Sequence, residues 1–339
     1  MPYPFPDSEF SDRHEALRDI LELHGLDAIL LTSARNLAWA FGLPPEPAAP
    51  QAGALVRAEG GRLHLALTDP RAARGPVLRH DLAARDGLWR ALAADLGPGR
   101  ALGVEADALT MVQGEMLNSH LRPGRGVDVS RAIAGQRMVK SSAELALIRA
   151  LGAAARQGVE AAMADPQSPA APEQARLAMQ AALRRAFPDQ PGASARVVTL
   201  TAPGGAVAGL GCLPALGGYA APLWRTAAAG PSLRTLHDTV LGQLVADVTC
   251  AEVAARLDPL IAATGLRQIA PFGRGIDLCD LAGARYSGLD LSAGVETMLE
   301  PGMILGFGPA LSQPDGTVLR LQSLVLVGED GPEVIASPL

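Results

Sequence analysis

Residues Gly211–Thr226 read GCLPALGGYAAPLWRT. They close a glycine- and proline-rich region, Pro191 to Pro222, that reads as strands at Ala195–Leu200 and near Ala206–Cys212. Gly209-x-Gly211 opens like a phosphate-cradling loop, but the third glycine position holds Pro214 and the segment lies on strands, with no helix N-terminus to receive an anion. That reading is discarded. Cys212 follows Gly211 with no histidine in reach, so it reads as a buried inert thiol and not as a nucleophile; Cys279 reads the same way.

The surrounding chain sets the limits. With 339 residues there is room for two domains, and 48% hydrophobic against 19% charged residues describes a globular chain. The net charge of −6 comes without a Lys/Arg block, so no nucleic-acid footprint is expected, and 4% aromatic residues argue against a base- or sugar-stacking groove. The N-terminus, MPYPFPDSEF, lacks the basic-then-apolar pattern of a secretory signal, and no apolar run reaches the roughly 18–20 residues of a membrane span. Three cysteines without a C-x-x-C pair fit a reducing cytoplasm and give no zinc pattern.

Toward the N-terminus, periodicity predicts a helix over Asp12–His24 stopped by Gly25, strands at Ala28–Leu31, Gly53–Val56 and Leu63–Leu67, and helices near Asp86–Leu96 and Ala106–Leu117. In the third strand Leu63, Leu65 and Leu67 alternate against His64 and Ala66. With strands at Ala101–Val104 and Gly126–Val129, this is a small α/β domain spanning 1–132. The remainder, 133–339, opens with a long helix after Ser142 and a second at Glu173–Phe187. Beyond the quoted stretch come helices at Ser232–Ala246 and, capped by Thr249, Thr249–Thr264. Strands follow at Met303–Phe307, Thr317–Leu321, Leu324–Val327 and Glu333–Ile335.

Four sets of residues carry a family resemblance. Gly218-Tyr219 and Arg225-Thr226 match part of Asp-x-Gly-x4-Gly-Tyr-x2-Asp-x2-Arg-Thr. Arg137-Met138-Val139-Lys140-Ser141 with Glu144 and Ile148 matches a helix start. Leu299 to Met303, and Arg320-Leu321 with Val325 and Val327, match two strands. In this order the chain resembles the creatinase, prolidase and aminopeptidase P family. The resemblance implies an α/β creatinase-like N-terminal domain followed by an α+β pita-bread domain, in a homodimer. It also implies two divalent metals held by two Asp, one His and two Glu. Those five positions fall on Gly211, Pro222, Arg274, Gly308 and Gln322, whose side chains supply no anionic ligand. No metal and no cofactor is therefore expected. The family's accessory histidines are also missing, one of their positions being Leu281. Of the six histidines only His237 lies in the second domain, where it reads as a solvated or half-buried helix residue.

The residual polar lining would be Tyr219, Arg225, Arg274, Asp277, Asp280, Arg320 and Gln322. Arg274 has two readings: it grips a carboxylate or similar anion with Arg225 or Arg320, or it pairs internally with Asp277 or Asp280. The leading function is a non-catalytic homologue binding a small anionic ligand, a peptide or a partner, without nucleic acid or membrane. Its rival is a metal-independent amide or C–N hydrolase using Tyr219, Asp277 or Asp280 and Arg274. A third is a structural module of the kind found in histone-chaperone subunits that resemble this fold.

Overall fold

The structure, a computed structural model, describes residues 4–44, 52–66, 73–81, 86–166, 168–201, 207–228, 230–276 and 289–339. Asp277, Cys279, Asp280 and Leu281 lie outside the described residues. The chain forms two compact units, Met1–Arg137 and Met138–Leu339.

The first unit opens with α1 (Asp7–His24), five residues earlier than periodicity predicts. Its first turn is anchored by buried Phe10 and by an Arg13–Glu9 pair at 2.8 Å, contacts that a search for apolar repeats does not register. Gly25 ends it in the left-handed region, φ +58°. β1 (Ala28–Leu31) follows as expected, then α2 (Ala34–Phe41), which the sequence reading did not anticipate. The Ser33 side chain caps α2 by accepting from the Asn36 amide. Further on come β2 (Ala52–Arg57), β3 (Gly60–Ala66), β4 (Val77–His80), α3 (Gly87–Leu96) and β5 (Ala101–Val104). Next are α4 (Met111–Met116), a π-helical turn at Leu117–Leu121, and β6 (Arg125–Asp128). α4 starts later than expected because Thr110 and Gln113 close a reciprocal capping box there.

The six strands run β4-β3-β2-β1-β5-β6, with β1, β2 and β3 antiparallel and the outer pairings parallel. Leu30, Leu55, Leu88, Leu92 and Leu102 fill the space between this sheet and α3. Beneath α2, buried Glu105 accepts from the Thr32 amide (2.6 Å), the Ser33 amide (3.1 Å), the Ser33 hydroxyl (2.6 Å) and the Asn36 side chain. α5 (Ser130–Met138) completes the unit. The division falls at Arg137, beyond the 132 read from sequence, because Ile133 and Arg137 are buried and Arg137 donates to Asn36 Oδ1.

The second unit opens with α6 (Ser142–Met163), capped by a Ser141–Glu144 box, and α7 (Ala171–Ala186). β7 (Ser194–Thr201), β8 (Val207–Leu216), β9 (Tyr219–Ala220) and β10 (Leu223–Thr226) come next. Then come α8 (Pro231–Leu241), α9 (Cys250–Ala262), β11 (Arg267–Gln268), β12 (Gly273–Gly275), β13 (Ile304–Phe307) and β14 (Ala310–Ser312). β15 (Val318–Gly328) and β16 (Gly331–Ala336) end the chain. The main sheet runs β11-β14-β15-β10-β8-β7, with β13 and β16 also on β15. β15 is one strand where the sequence predicts two. Gln322 and Ser323 break the apolar pattern, yet both are buried within the strand and bonded there. Leu321, Val325, Phe307 and Met303 form one core with Leu233 and Val240 of α8 and Val253 and Leu257 of α9.

Candidate functional site

Three adjacent strands bring two of the flagged residues, Gly211 and Gln322, into one row with Trp224 between them. Gly211 of β8 faces Trp224 of β10, and Trp224 faces Gln322 of β15. Directly opposed residues share a sheet face, so the three side-chain positions lie together. The Trp224 indole covers Gly211 closely enough that a Cβ there would stand 2.6 Å from the ring. Over the indole lies the Arg320 guanidinium, its carbon 4.0 Å from the ring centroid, and Arg320 Nη2 donates to Gln322 Oε1 at 2.6 Å. The Gln322 amide in turn fills the place that a side chain on Gly306 would take.

Gly308 and Arg274 sit on neighbouring strand ends. Gly308 adopts φ +146°, and a Cβ there would collide with the Leu321 carbonyl oxygen. Arg274 pairs with Gly306 in the β12–β13 ladder, and its Nε lies 3.6 Å from an Asp290 carboxylate oxygen. An internal partner for Arg274 is thus present, but it is Asp290, which the sequence did not single out; Asp277 and Asp280 lie outside the described residues. Pro222 lies in the link between β9 and β10.

Two expected lining residues are placed elsewhere. Tyr219 is fully buried and its hydroxyl donates to Glu144 Oε1, tying β9 to the first turn of α6. Arg225 has the opposite strand parity from Trp224, and its Nη1 donates to the Pro338 carbonyl at 2.7 Å. Burial first, then nearby Arg234, holds its guanidinium below the ordinary value. Cys212 also points away from Trp224, toward Gly158 of α6, and burial pushes its thiol up to about 12.

His237 corrects a further expectation: it is buried, neither solvated nor half-buried. Its Nε2 stands 2.9 Å from Ser323 Oγ and its Nδ1 3.3 Å from Asp238 Oδ1, and its ring lies against Gly308. Ser, His and Asp stand in the order of a hydrolytic triad, yet Ser323 is fully buried in mid-strand, where no acyl group reaches it. Burial, opposed by Asp238, lowers the His237 pKa. Nothing in the sequence signals this contact, because 86 residues separate the partners.

At the Trp224–Arg320–Gln322 face, the groups presented are a cation, an indole and a neutral amide. Among the described residues, no group of three or more His, Cys, Asp and Glu could hold a metal ion. No helix of the described residues is long and apolar enough to cross a membrane.

A creatinase-like α/β domain followed by a pita-bread domain is the class this architecture defines, and known proteins agree. Residues 13–139 match the Creatinase/Prolidase N-terminal domain family. Creatinase of Bacillus sp. (strain B-0618) is 28% identical over 270 residues, covering 69% of this chain and 66% of that protein, just under two thirds of its length. Dipeptidase PepE from Mycobacterium ulcerans superposes with a TM-score of 0.76 at 19% identity, covering 98% of this chain and 97% of that one. Prolidase from Pyrococcus horikoshii does so at 0.73 and 16%, covering 96% and 98%. The N-terminal domain of the FACT complex subunit SPT16 from chickpea, Cicer arietinum, shares the fold at 0.72 and 13%, covering 98% and 97%. Residues 13–139 thus belong to the Creatinase/Prolidase N-terminal domain family, and the chain as a whole is similar to creatinase and shares the fold of the prolidases.

Proposed function

We propose that this chain is a non-peptidase homologue of the Xaa-Pro dipeptidases and creatinase, in which the face that carries metals in its relatives binds a small carboxylate or a peptide carboxy-terminus instead. The observation carrying this reading is the stack of Arg320 on Trp224 over Gly211. The residues present do not fit a pair of divalent cations. Such a pair needs several anionic oxygens, and this face presents an indole over the first position, a guanidinium beside it and the neutral Gln322. A guanidinium held over an aromatic ring has less freedom to lose on making bidentate contact with a carboxylate. Arg274, already near Asp290, adds positive charge on β12, which β13 separates from β15. The same reading takes the chain to be a cytoplasmic homodimer, supported by its buried free thiols Cys212 and Cys250 and by family resemblance.

Two measurements test it. Xaa-Pro dipeptide hydrolysis in added manganese is expected to show no turnover; turnover that rises with manganese and vanishes with chelator would overturn the metal-free reading of this face. A thermal-shift series with small carboxylates is expected to raise Tm in the wild type and to lose that response in Arg320→Ala. A flat series, unchanged by either Arg320→Ala or Arg274→Ala, removes the ligand.

A further inference from the structure

Outside that face, the N-terminal domain holds a chain of polar groups. His64 on β3 is 1% exposed, although strand alternation assigns it to the side away from the leucines, the side expected to be solvated. It is enclosed because α3 covers that side and supplies Asp95. His64 Nε2 lies 3.1 Å from Asp95 Oδ2, and His64 Nδ1 lies 3.1 Å from His80 Nε2 on the adjacent parallel strand β4. The two rings are nearly parallel, 8° apart. Asp95 is only an acceptor, so His64 Nε2 must carry the proton and Nδ1 must present its lone pair toward His80.

We propose that His64 Nδ1 and His80 Nε2 form a two-histidine site for an imidazole-seeking divalent transition metal of the zinc or copper class, water completing the coordination. Two imidazole nitrogens on one tetrahedral zinc, each about 2.0–2.1 Å from it, stand about 3.3 Å apart, close to the observed 3.1 Å; the nitrogens that now face each other in a hydrogen bond must also turn so that both lone pairs converge on the ion. A carboxylate on the far nitrogen of a ligating histidine fixes its tautomer and ring orientation, the role Asp95 occupies. Asp95 is itself held: Arg57 lies 3.5 Å and Arg62 2.9 Å from Oδ1. The selection comes from the ligands: the two neutral imidazoles suit zinc and copper, and the carboxylate that magnesium or calcium would need is already engaged by the two guanidiniums. His80 is part-exposed and gives the ion its entry.

The test is titration of the full chain with Zn²⁺ by calorimetry and with Cu²⁺ by electron paramagnetic resonance. One equivalent is expected to bind, with Cu²⁺ showing coupling to two nitrogens. His80→Ala, at a part-exposed strand position, is expected to fold and to lose at least tenfold in affinity. Asp95→Asn is expected to weaken binding by about 10–100-fold while both ligands remain, as for other second-sphere carboxylates. Binding unchanged in folded His80→Ala, or no saturable binding by the wild type, would overturn the site and leave a hydrogen-bonded pair. Carboxylate binding in the second domain is a separate matter, and neither result bears on it.

Discussion

The indole of Trp224 lies flat enough on Gly211 that the smallest side chain there would stand 2.6 Å from it. The resemblance read from the sequence sets this position against an aspartate, and here the glycine and the indole that covers it act as one unit. Gly211→Asp alone is therefore expected to be an overpacking change. It displaces the ring and Arg320 with it, and costs about 1–3 kcal/mol of stability. Urea unfolding of Gly211→Asp against Gly211→Asp with Trp224→Ala checks this: the cost should shrink when the ring is gone.

Gly308 poses a steeper barrier. Its φ of +146° is open to glycine alone, and a Cβ would meet the Leu321 carbonyl oxygen, so Gly308→Glu is expected to lose more stability than Gly211→Asp. Denaturant midpoints of the two variants, measured side by side, test the order. Rebuilding the family's acids one at a time thus runs against the backbone as well as the side chains.

The sequence carried the fold because the residues that start and stop its elements are local: Gly25 after α1, Thr249 with Glu252 before α9, Ser141 with Glu144 before α6. α2 was missed because its signal is one capping serine before a helix of eight residues, nearly all of it buried and so without a polar face. Of the site, the row Gly211–Trp224–Gln322 follows from strand pairing, but Trp224 matches a variable position of the family pattern and drew no notice. Tyr219 and Arg225 belong to the motif, and side-chain parity and burial, which spacing alone does not fix, turn them away from that row. Neither the His237–Ser323 nor the His64–Asp95 contact is legible in sequence, since each closes over tens of residues.

The buried His237 and the half-buried His14 predict a pH response. Burial lowers the pKa of His237, against the opposing pull of Asp238, and that of His14, against its Ala40 carbonyl contact. Below the ordinary histidine value near 6.5 the unfolded chain takes up protons that the folded chain resists, so this stability is present above about pH 6.5 and is lost as pH falls. Each histidine contributes a slope of at most about 1.4 kcal/mol per pH unit. Stability measured across this range should decline on acidification, and His237→Gln should decline less steeply than the wild type; equal slopes would show that His237 charges freely in the folded state.

Tyr219 separates a structural role from a ligand-binding one. Its hydroxyl and the Ser141 amide both donate to the buried Glu144 carboxylate, so Tyr219→Phe removes one hydrogen bond from that carboxylate at the start of α6. The expected loss is about 1–3 kcal/mol. Tyr219→Phe and Glu144→Gln should be non-additive, with a coupling of about 0.5–3 kcal/mol in a double-mutant cycle. The thermal shift that carboxylates induce should survive in Tyr219→Phe at its full size, measured from a lower starting Tm. A variant that kept its stability but lost the carboxylate response would return Tyr219 to the binding face, and would mean that the hydroxyl turns away from Glu144 when a ligand arrives.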